Sequence, residues 1–282
     1  MAEKTTVIIE SGATKSEWRT LDKEGRVSRQ FFRPGMNVST MPLEEIKRIL
    51  SEGITSEGLG ELSGFYLYTA GVLTPEFVSK LEAQIRSLTS VDHIDIQNDL
   101  TGAARGVCGH EEGIVAILGT GANSCFYDGR SLSQRVYAGG YILGDEGSAA
   151  TLGKRFLSDF IKGRVPQPLS DDFASQFDAS YQGIVQQVYH SPAPSAFLGS
   201  LAPMILRHYD EPYAKTLVDG NFQDFIDRFL SRYDTAAYPV GVTGGFGWAC
   251  QDILRPLLER AGIRISRFVK APIEGLCTYH RP

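Results

Sequence analysis

The stretch Val7-Ile-Ile-Glu10-Ser-Gly-Ala-Thr14-Lys-Ser16 has a counterpart far along the chain, Ala116-Ile-Leu118-Gly-Thr120-Gly-Ala-Asn123-Ser124. Each joins an aliphatic, β-branched run to a Gly-rich turn carrying a hydroxyl, and then to a second strand-like run, the pattern of a β-hairpin. The flanks repeat as well. After the first hairpin come the turn Asp22 to Gly25, a strand Val27 to Phe32, a helix over Leu43 to Ser51 and a strand Phe65 to Thr69. A helix with Thr74 as N-cap and Pro75 in first position follows, and then a strand His93 to Gln97 that delivers Asn98 and Asp99 to its end. The second hairpin, strands Ile114 to Leu118 and Ser124 to Tyr127, leads through Asp128-Gly129 to a strand Gln134 to Tyr137. A helical region from Ala149 to about Tyr233, broken at Ser191-Pro-Ala-Pro-Ser195, precedes a strand Tyr238 to Thr243, a helix Trp248 to Ala261 kinked at Pro256, a strand Ile263 to Val269 and a terminal helix. The shared order predicts a duplicated α/β architecture.

Composition is compatible with two packed domains and narrows the partners. The 282 residues exceed a usual single core of roughly 100 to 200 residues, and 42% hydrophobic with 22% charged residues excludes a disordered or fibrous chain. Lys and Arg number 28 against 33 acidic residues, a net charge of −5, with no dense basic stripe, so nucleic acid is not expected. The longest apolar runs are far short of the roughly 20 residues that span a bilayer, so no membrane partner is expected and a cytoplasmic protein is. Cys108, Cys125, Cys250 and Cys277 contain no C-x-x-C pair, and the five histidines show no ligand spacing, which argues against a metal held by Cys or His.

Four Gly-rich segments are candidates for phosphate or nucleotide chemistry. Gly147 to Arg155 resembles a Walker A loop, but five residues separate Gly147 from Gly153 where four are needed, and Arg155 stands where Ser or Thr is required. Gly119 to Ser124 lacks the third glycine of a dinucleotide fingerprint and runs into a strand instead of a helix. The alternative is a pair of hairpin turns that offer backbone N–H groups at Gly12 and Gly121, the hydroxyls of Ser11, Thr14 and Thr120, and the charge of Lys15. Thr243-Gly244-Gly245-Phe246-Gly247 opens a helix, where bare glycines at 244 and 245 let a flat adenine ring approach.

The series Glu10 to Ser16 (ESGATKS), Asn98 to Ala104 (NDLTGAA), Leu118 to Ser124 (LGTGANS), Gly139 to Ala149 (GGYILGDEGSA), Gly241 to Gly247 (GVTGGFG) and Lys270 to Leu276 (KAPIEGL) resembles the acetyl-hexosamine kinase branch of the sugar kinase, actin and heat-shock chaperone ATPase superfamily, near the benzoyl-CoA reductase activating ATPases. That resemblance spans essentially the whole chain. It implies two ribonuclease-H-like domains, residues 1–106 and 107–269, with a cleft between them and the terminal helix 270–282 packing back on the first. It implies ATP and Mg²⁺, an amino-sugar substrate phosphorylated at its 6-hydroxyl, and allows a homodimer. By the same resemblance Asp99 is the base, oriented by Asn98, and both contact the sugar together with Asn37, Gly139, Gly140, Asp145 and Ala149. A bland reading stands beside each: Asp99 as a helix cap, Asn37 as a turn residue, Asp145 in a solvated loop. Glu10 takes the position where the family usually places an Asp that holds Mg²⁺. An ATP-driven activator of a partner protein and a catalytically weak sugar-binding regulator are the competing functions.

Overall fold

The computed structural model describes residues 4–12, 15–71 and 73–281. Three strands open the chain, β1 (Thr5–Ser11), β2 (Lys15–Leu21) and β3 (Val27–Pro34), followed by α1 (Leu43–Ser56), β4 (Glu61–Thr69), α2 (Pro75–Leu88), β5 (Ser90–Asn98) and α3 (Asp99–Cys108). The second series begins with β6 (Glu112–Leu118), β7 (Ala122–Asp128) and β8 (Leu132–Val136), then α4 (Gly140–Leu143). A helical insertion follows: α5 (Ala149–Phe160), α6 (Gln167–Gln176), α7 (Tyr181–Tyr189), α8 (Pro194–Ser200), α9 (Ala202–Arg207) and α10 (Pro212–Arg228). The chain ends with β9 (Val240–Thr243), α11 (Gly245–Ala249), α12 (Gln251–Arg260), β10 (Ile265–Val269) and α13 (Ile273–Tyr279).

Each series builds one five-stranded sheet. The orders are β3-β2-β1-β4-β5 and β8-β7-β6-β9-β10, so the same path is run twice. In each, the first strand pairs antiparallel with the second and parallel with the fourth. The chain folds as two compact units, Met1–Glu111 with Gly129–Leu132 and Ala271–Pro282, and Glu112–Asp128 with Ser133–Lys270.

Alternation along β1 sorts the first core. Val7 and Ile9 join Trp18, Phe65 and Leu67 under α1 and α2, while Ile8 packs with Leu21, Tyr68, Ile273 and Leu276 on the opposite face. On that second face α3 lies close to the sheet, because a side chain at Gly102 would stand 2.8 Å from the Tyr68 Cβ. The second unit has its own apolar core, in which Ile114, Ala116 and Leu118 of β6 meet Phe156, Phe222 and Phe225 from the insertion.

The elements differ from the sequence expectation mainly at their ends. α1 continues to Ser56 through Gly53, which is buried where a Cβ would strike the Trp18 indole. The helix expected from Trp248 starts at Gly245, and Cys250 separates it from α12. α12 passes through Pro256 undivided. None of the described helices is long and apolar enough to cross a membrane.

Candidate active site

In the first unit the carboxyl ends of β1, β4 and β5 lie along one edge, because the three strands run parallel. Ser11 stands opposite Thr69 and Thr69 opposite Asn98, with Glu10, Tyr68 and Gln97 one row behind. Such an edge is where open α/β sheets place ligands.

Glu10 is half-buried in the central strand, opposite Glu17 of β2. Burial pushes its carboxyl up to about 7, and the charges of Glu17 and Asp99 add to the rise against Lys15. Asp99 is the first residue of α3 and also half-buried. Its carboxyl is raised to about 6 by burial, opposed by N–H donation from Leu100 and its own backbone. The cap of α3 is not Asp99. Asn98 takes that role, its Oδ1 accepting from the Thr101 N–H at 2.8 Å and from the Thr101 hydroxyl at 3.0 Å. Asn98, expected to orient Asp99, makes its side-chain hydrogen bonds to Thr101 at the start of that helix.

The Ser11 hydroxyl, expected to face a phosphate, is fully buried. It accepts from the Met36 N–H at 2.7 Å, and the Thr69 hydroxyl donates to the Met36 carbonyl at 2.7 Å. Two strand-end hydroxyls thus fix the turn before Asn37. Asn37 bridges to Ala70, and its Oδ1 accepts from the Ser39 N–H at 2.9 Å, the turn role named above, while its side-chain NH₂ has no partner among the described residues. The Gly12 N–H donates to the Lys15 carbonyl, and the Lys15 ammonium lies 4.3 Å from the Phe32 ring centroid. Thr14 lies outside the described residues.

The second unit assembles a separate cluster around the β6–β7 turn. Gly119 N–H donates to the Gly121 carbonyl, and the first N–H groups of α5, from Ala149 and Ala150, donate to the carbonyls of Gly119 and Thr120. The turn is braced from below, and the Thr120 side chain is exposed. Asp145 is buried at 8% exposure and is the one non-glycine with positive φ among the described residues, at 58°. Its Oδ1 accepts from the Ala122 N–H at 3.2 Å, and its Oδ2 lies 3.0 Å from where a Gly121 Cβ would stand. Burial raises this carboxyl above the usual range, with the Ala122 N–H opposing. Asp145, expected on the sugar, lies against the β6–β7 turn. Glu146 beside it pairs with Arg228 at 3.1 Å. Gly139 and Gly140 both hold positive φ at the start of α4.

Thr243 ends β9, and its buried hydroxyl has no partner among the described residues. Gly244, at φ 110°, packs against the Leu118 backbone, which joins this cluster to the β6–β7 turn, while a side chain at Gly245 would enter open space. Sequence reasoning does not single out Asn221. This fully buried residue of α10 accepts from the Gly147 N–H at 3.3 Å and donates to the Ser148 carbonyl at 3.1 Å, holding the loop that carries Asp145. Its one signal is an amide set among the apolar positions Val218, Phe222 and Phe225.

No group of three or more His, Cys, Asp or Glu able to hold a metal occurs among the described residues. Mg²⁺ does not need one, since it keeps several waters and takes one or two carboxylates together with substrate phosphates. Glu10, crowded by two like charges, fits that demand.

The chain is similar to proteins known from sequence and from solved structures. A Porphyromonas gingivalis structure provisionally named N-acetylglucosamine kinase is 35% identical, with a TM-score of 0.92 and 98% of both chains covered. A Clostridium acetobutylicum protein named N-acetylmuramic acid/N-acetylglucosamine kinase is 29% identical over 218 residues, 73% of this chain and 71% of that one. A Streptomyces griseus ROK-family glucokinase, solved with glucose and AMPPNP, shares the fold at 17% identity, with a TM-score of 0.58 and 98% and 97% of the two chains covered. No protein-family model matches the chain.

Proposed function

The chain belongs to the N-acetylglucosamine kinase branch of the sugar kinase and actin-like ATPase superfamily, and from that premise we propose that it moves the γ-phosphoryl group of ATP to the 6-hydroxyl of N-acetylglucosamine or a related amino sugar. The observation that carries this reading is Asp99, a half-buried carboxylate at the carboxyl edge of a parallel sheet, held at the start of α3 and raised to about 6. A base of that strength is ionised near neutral pH and still able to take a proton.

The sugar hydroxyl donates its proton to Asp99 as its oxygen attacks the γ-phosphorus. The bond from that phosphorus to the β,γ-bridging oxygen breaks, ADP leaves with the electron pair, and Asp99 returns the proton to solvent. Positioning matters as much as basicity in such a transfer. Asn37, steadied through Ser11, Thr69 and Met36, and the Gly139-Gly140 backbone fix the sugar. Thr120 and the backbone of the turn at Gly121, together with Gly12 and Lys15, receive the phosphates, and Asp145 keeps the Gly121 turn in shape. Gly245 leaves room for the adenine, and Gly244 allows the close packing on Leu118 that sets it beside the β6–β7 turn. Glu10 would hold Mg²⁺, which when bound offsets charge on the transferring phosphates.

ADP release measured across N-acetylglucosamine, glucosamine, N-acetylmuramic acid and N-acetylmannosamine tests the proposal. Turnover should depend on an amino sugar and yield its 6-phosphate. ATP hydrolysis that no sugar accelerates would overturn it in favour of an activator of a partner protein.

A further inference from the structure

β5 runs into α3 with no loop between them, Asn98 ending the strand and Asp99 opening the helix. The proposed base therefore stands on the elbow itself, and the direction in which α3 leaves the sheet decides where its carboxylate lies. Asn98 caps the elbow, but a cap fixes only the first turn of a helix. The body of α3 is held by something else.

Arg105 lies six residues beyond Asp99 and reaches back to the sheet. Its Nη1 donates to the Asp95 Oδ2 of β5 at 2.6 Å and to the Tyr68 hydroxyl of β4 at 2.8 Å. The other Asp95 oxygen accepts from the Gln97 amide at 2.7 Å, and Gln97 stands opposite Tyr68 in the sheet. One ion pair thus spans the elbow, with Asp95 before the base and Arg105 after it. Between them α3 lies low on its support, since a Cβ at Gly102 would stand 2.8 Å from the Tyr68 Cβ and one at Gly106 would stand 2.5 Å from the Pro272 carbonyl oxygen. The glycines set the height of the helix. The guanidinium stops it from sliding or tilting.

Fold stability is a poor reason for this arrangement. The two side chains are only 15% and 20% exposed, and the Arg105 Nε is buried with no partner among the described residues. Apolar side chains of similar volume in place of such a pair are often as stable or more so. We infer that Asp95 and Arg105 brace the β5–α3 elbow and so position Asp99 for the attacking hydroxyl, an inference that rests on the kinase reading above. The pair acts through Asp99, and a base displaced by about 1 Å loses on the order of 10²-fold in rate.

Steady-state kinetics of sugar-dependent ADP release, with thermal melts on the same preparations, test the brace in the whole protein. Asp95→Leu combined with Arg105→Met removes both charges and keeps the apolar bulk, so kcat should fall about 10- to 100-fold at temperatures where the variant is folded, with the KM for ATP unchanged. Arg105→Lys keeps a cation beside Asp95 and should recover most of that loss. Should the double variant not fold, Asp95→Asn takes its place, keeping the shape and dropping the charge, and is expected to lower kcat several-fold without a change in the KM for ATP. In an Asp99→Asn background the same substitutions should cost nothing further, because no base is left to place. A purely structural pair would lower the melting temperature and leave kcat of the folded enzyme within about threefold of wild type, an outcome that overturns the brace. An equal further loss on top of Asp99→Asn overturns it as well. A wild type without sugar-dependent turnover would overturn the kinase reading, and the brace with it.

Discussion

Asp99 is held in tension between its cost and its use. In the proposed role of base it must be ionised, so kcat/KM should fall about tenfold per unit below about pH 6 and level off above it. Asp99→Asn should lower the rate by ~10² to 10⁴-fold and abolish that inflection, and a rate within a few-fold of wild type would remove Asp99 from the chemistry. The same burial acts on stability. A carboxyl with a folded pKa above its unfolded one stabilises the fold below the unfolded value, and that contribution is lost as pH rises through about 6. Asparagine carries no charge to desolvate, so thermal melts should place Asp99→Asn above the wild type near pH 7.5 and level with it near pH 4. Glu10 is constrained differently. Its strand is paired on both sides, to Glu17 and to Tyr68, so the backbone cannot advance to make up for a shorter side chain. Glu10→Asp should lower turnover and raise the Mg²⁺ needed for half-maximal rate. A large gain in the mutant would mean that the longer carboxylate displaces the metal.

Loops that carry site residues are built here as extensions of regular elements. α3 begins at Asp99 because Asn98 caps it, and the β6–β7 turn is braced because α5 donates its first N–H groups into it. The Asp145 loop depends on α10 through one amide. Asn221→Leu removes both hydrogen bonds and leaves the Gly147 N–H and the Ser148 carbonyl unpaired in a buried place, a loss of about 2 to 4 kcal/mol. Chemical denaturation should register that loss as a lower midpoint with an unchanged slope, and the KM for ATP should rise as Asp145 stops bracing the Gly121 turn. An unshifted midpoint would mean that water or relaxation of the loop replaces the amide.

At the scale of the molecule, the first unit is completed by the last helix of the chain. α13 buries Ile273, Leu276 and Cys277 against Ile8, Leu21 and Tyr68. Beyond it, His280 stacks on Tyr66 at 3.6 Å and shares a 2.7 Å hydrogen bond with the Tyr68 hydroxyl, which also accepts from Arg105 at 2.8 Å. Burial, followed by the Arg105 charge, depresses His280 to about 4, so it stays neutral in that bond. Removal of residues 271–282 strips the cover from three core side chains, each contributing about 1.5 to 3 kcal/mol when fully buried. Trp18 emission should then report an unfolded first unit at temperatures where the whole chain is folded. Retention of the native Trp18 signal would show the sheet to be self-sufficient.

Local chemistry is enough to reveal the repeated hairpins, because alternation and Gly-rich turns act within a few residues of themselves, and enough to bring Glu10 and Asp99 to strand ends. The resemblance carried by the GTGAN and GDEGS segments supplies roles that no periodicity encodes. Partnership across the chain is hidden from both. Ser11 reads as a ligand hydroxyl, yet its oxygen is taken by the Met36 backbone, a contact that exists only once β3 has returned along β2. Asp145 reads as a carboxylate in a glycine loop, and its partner, the Ala122 N–H, is one the chain brings near only by folding α5 under the turn. Trp248 is an ordinary helix residue until packing buries Phe246 and Gly247 and leaves the indole outside. Hydrogen-bond capacity is a property of each residue, but which donor meets which acceptor is settled by distance in space, and that distance belongs to the tertiary fold.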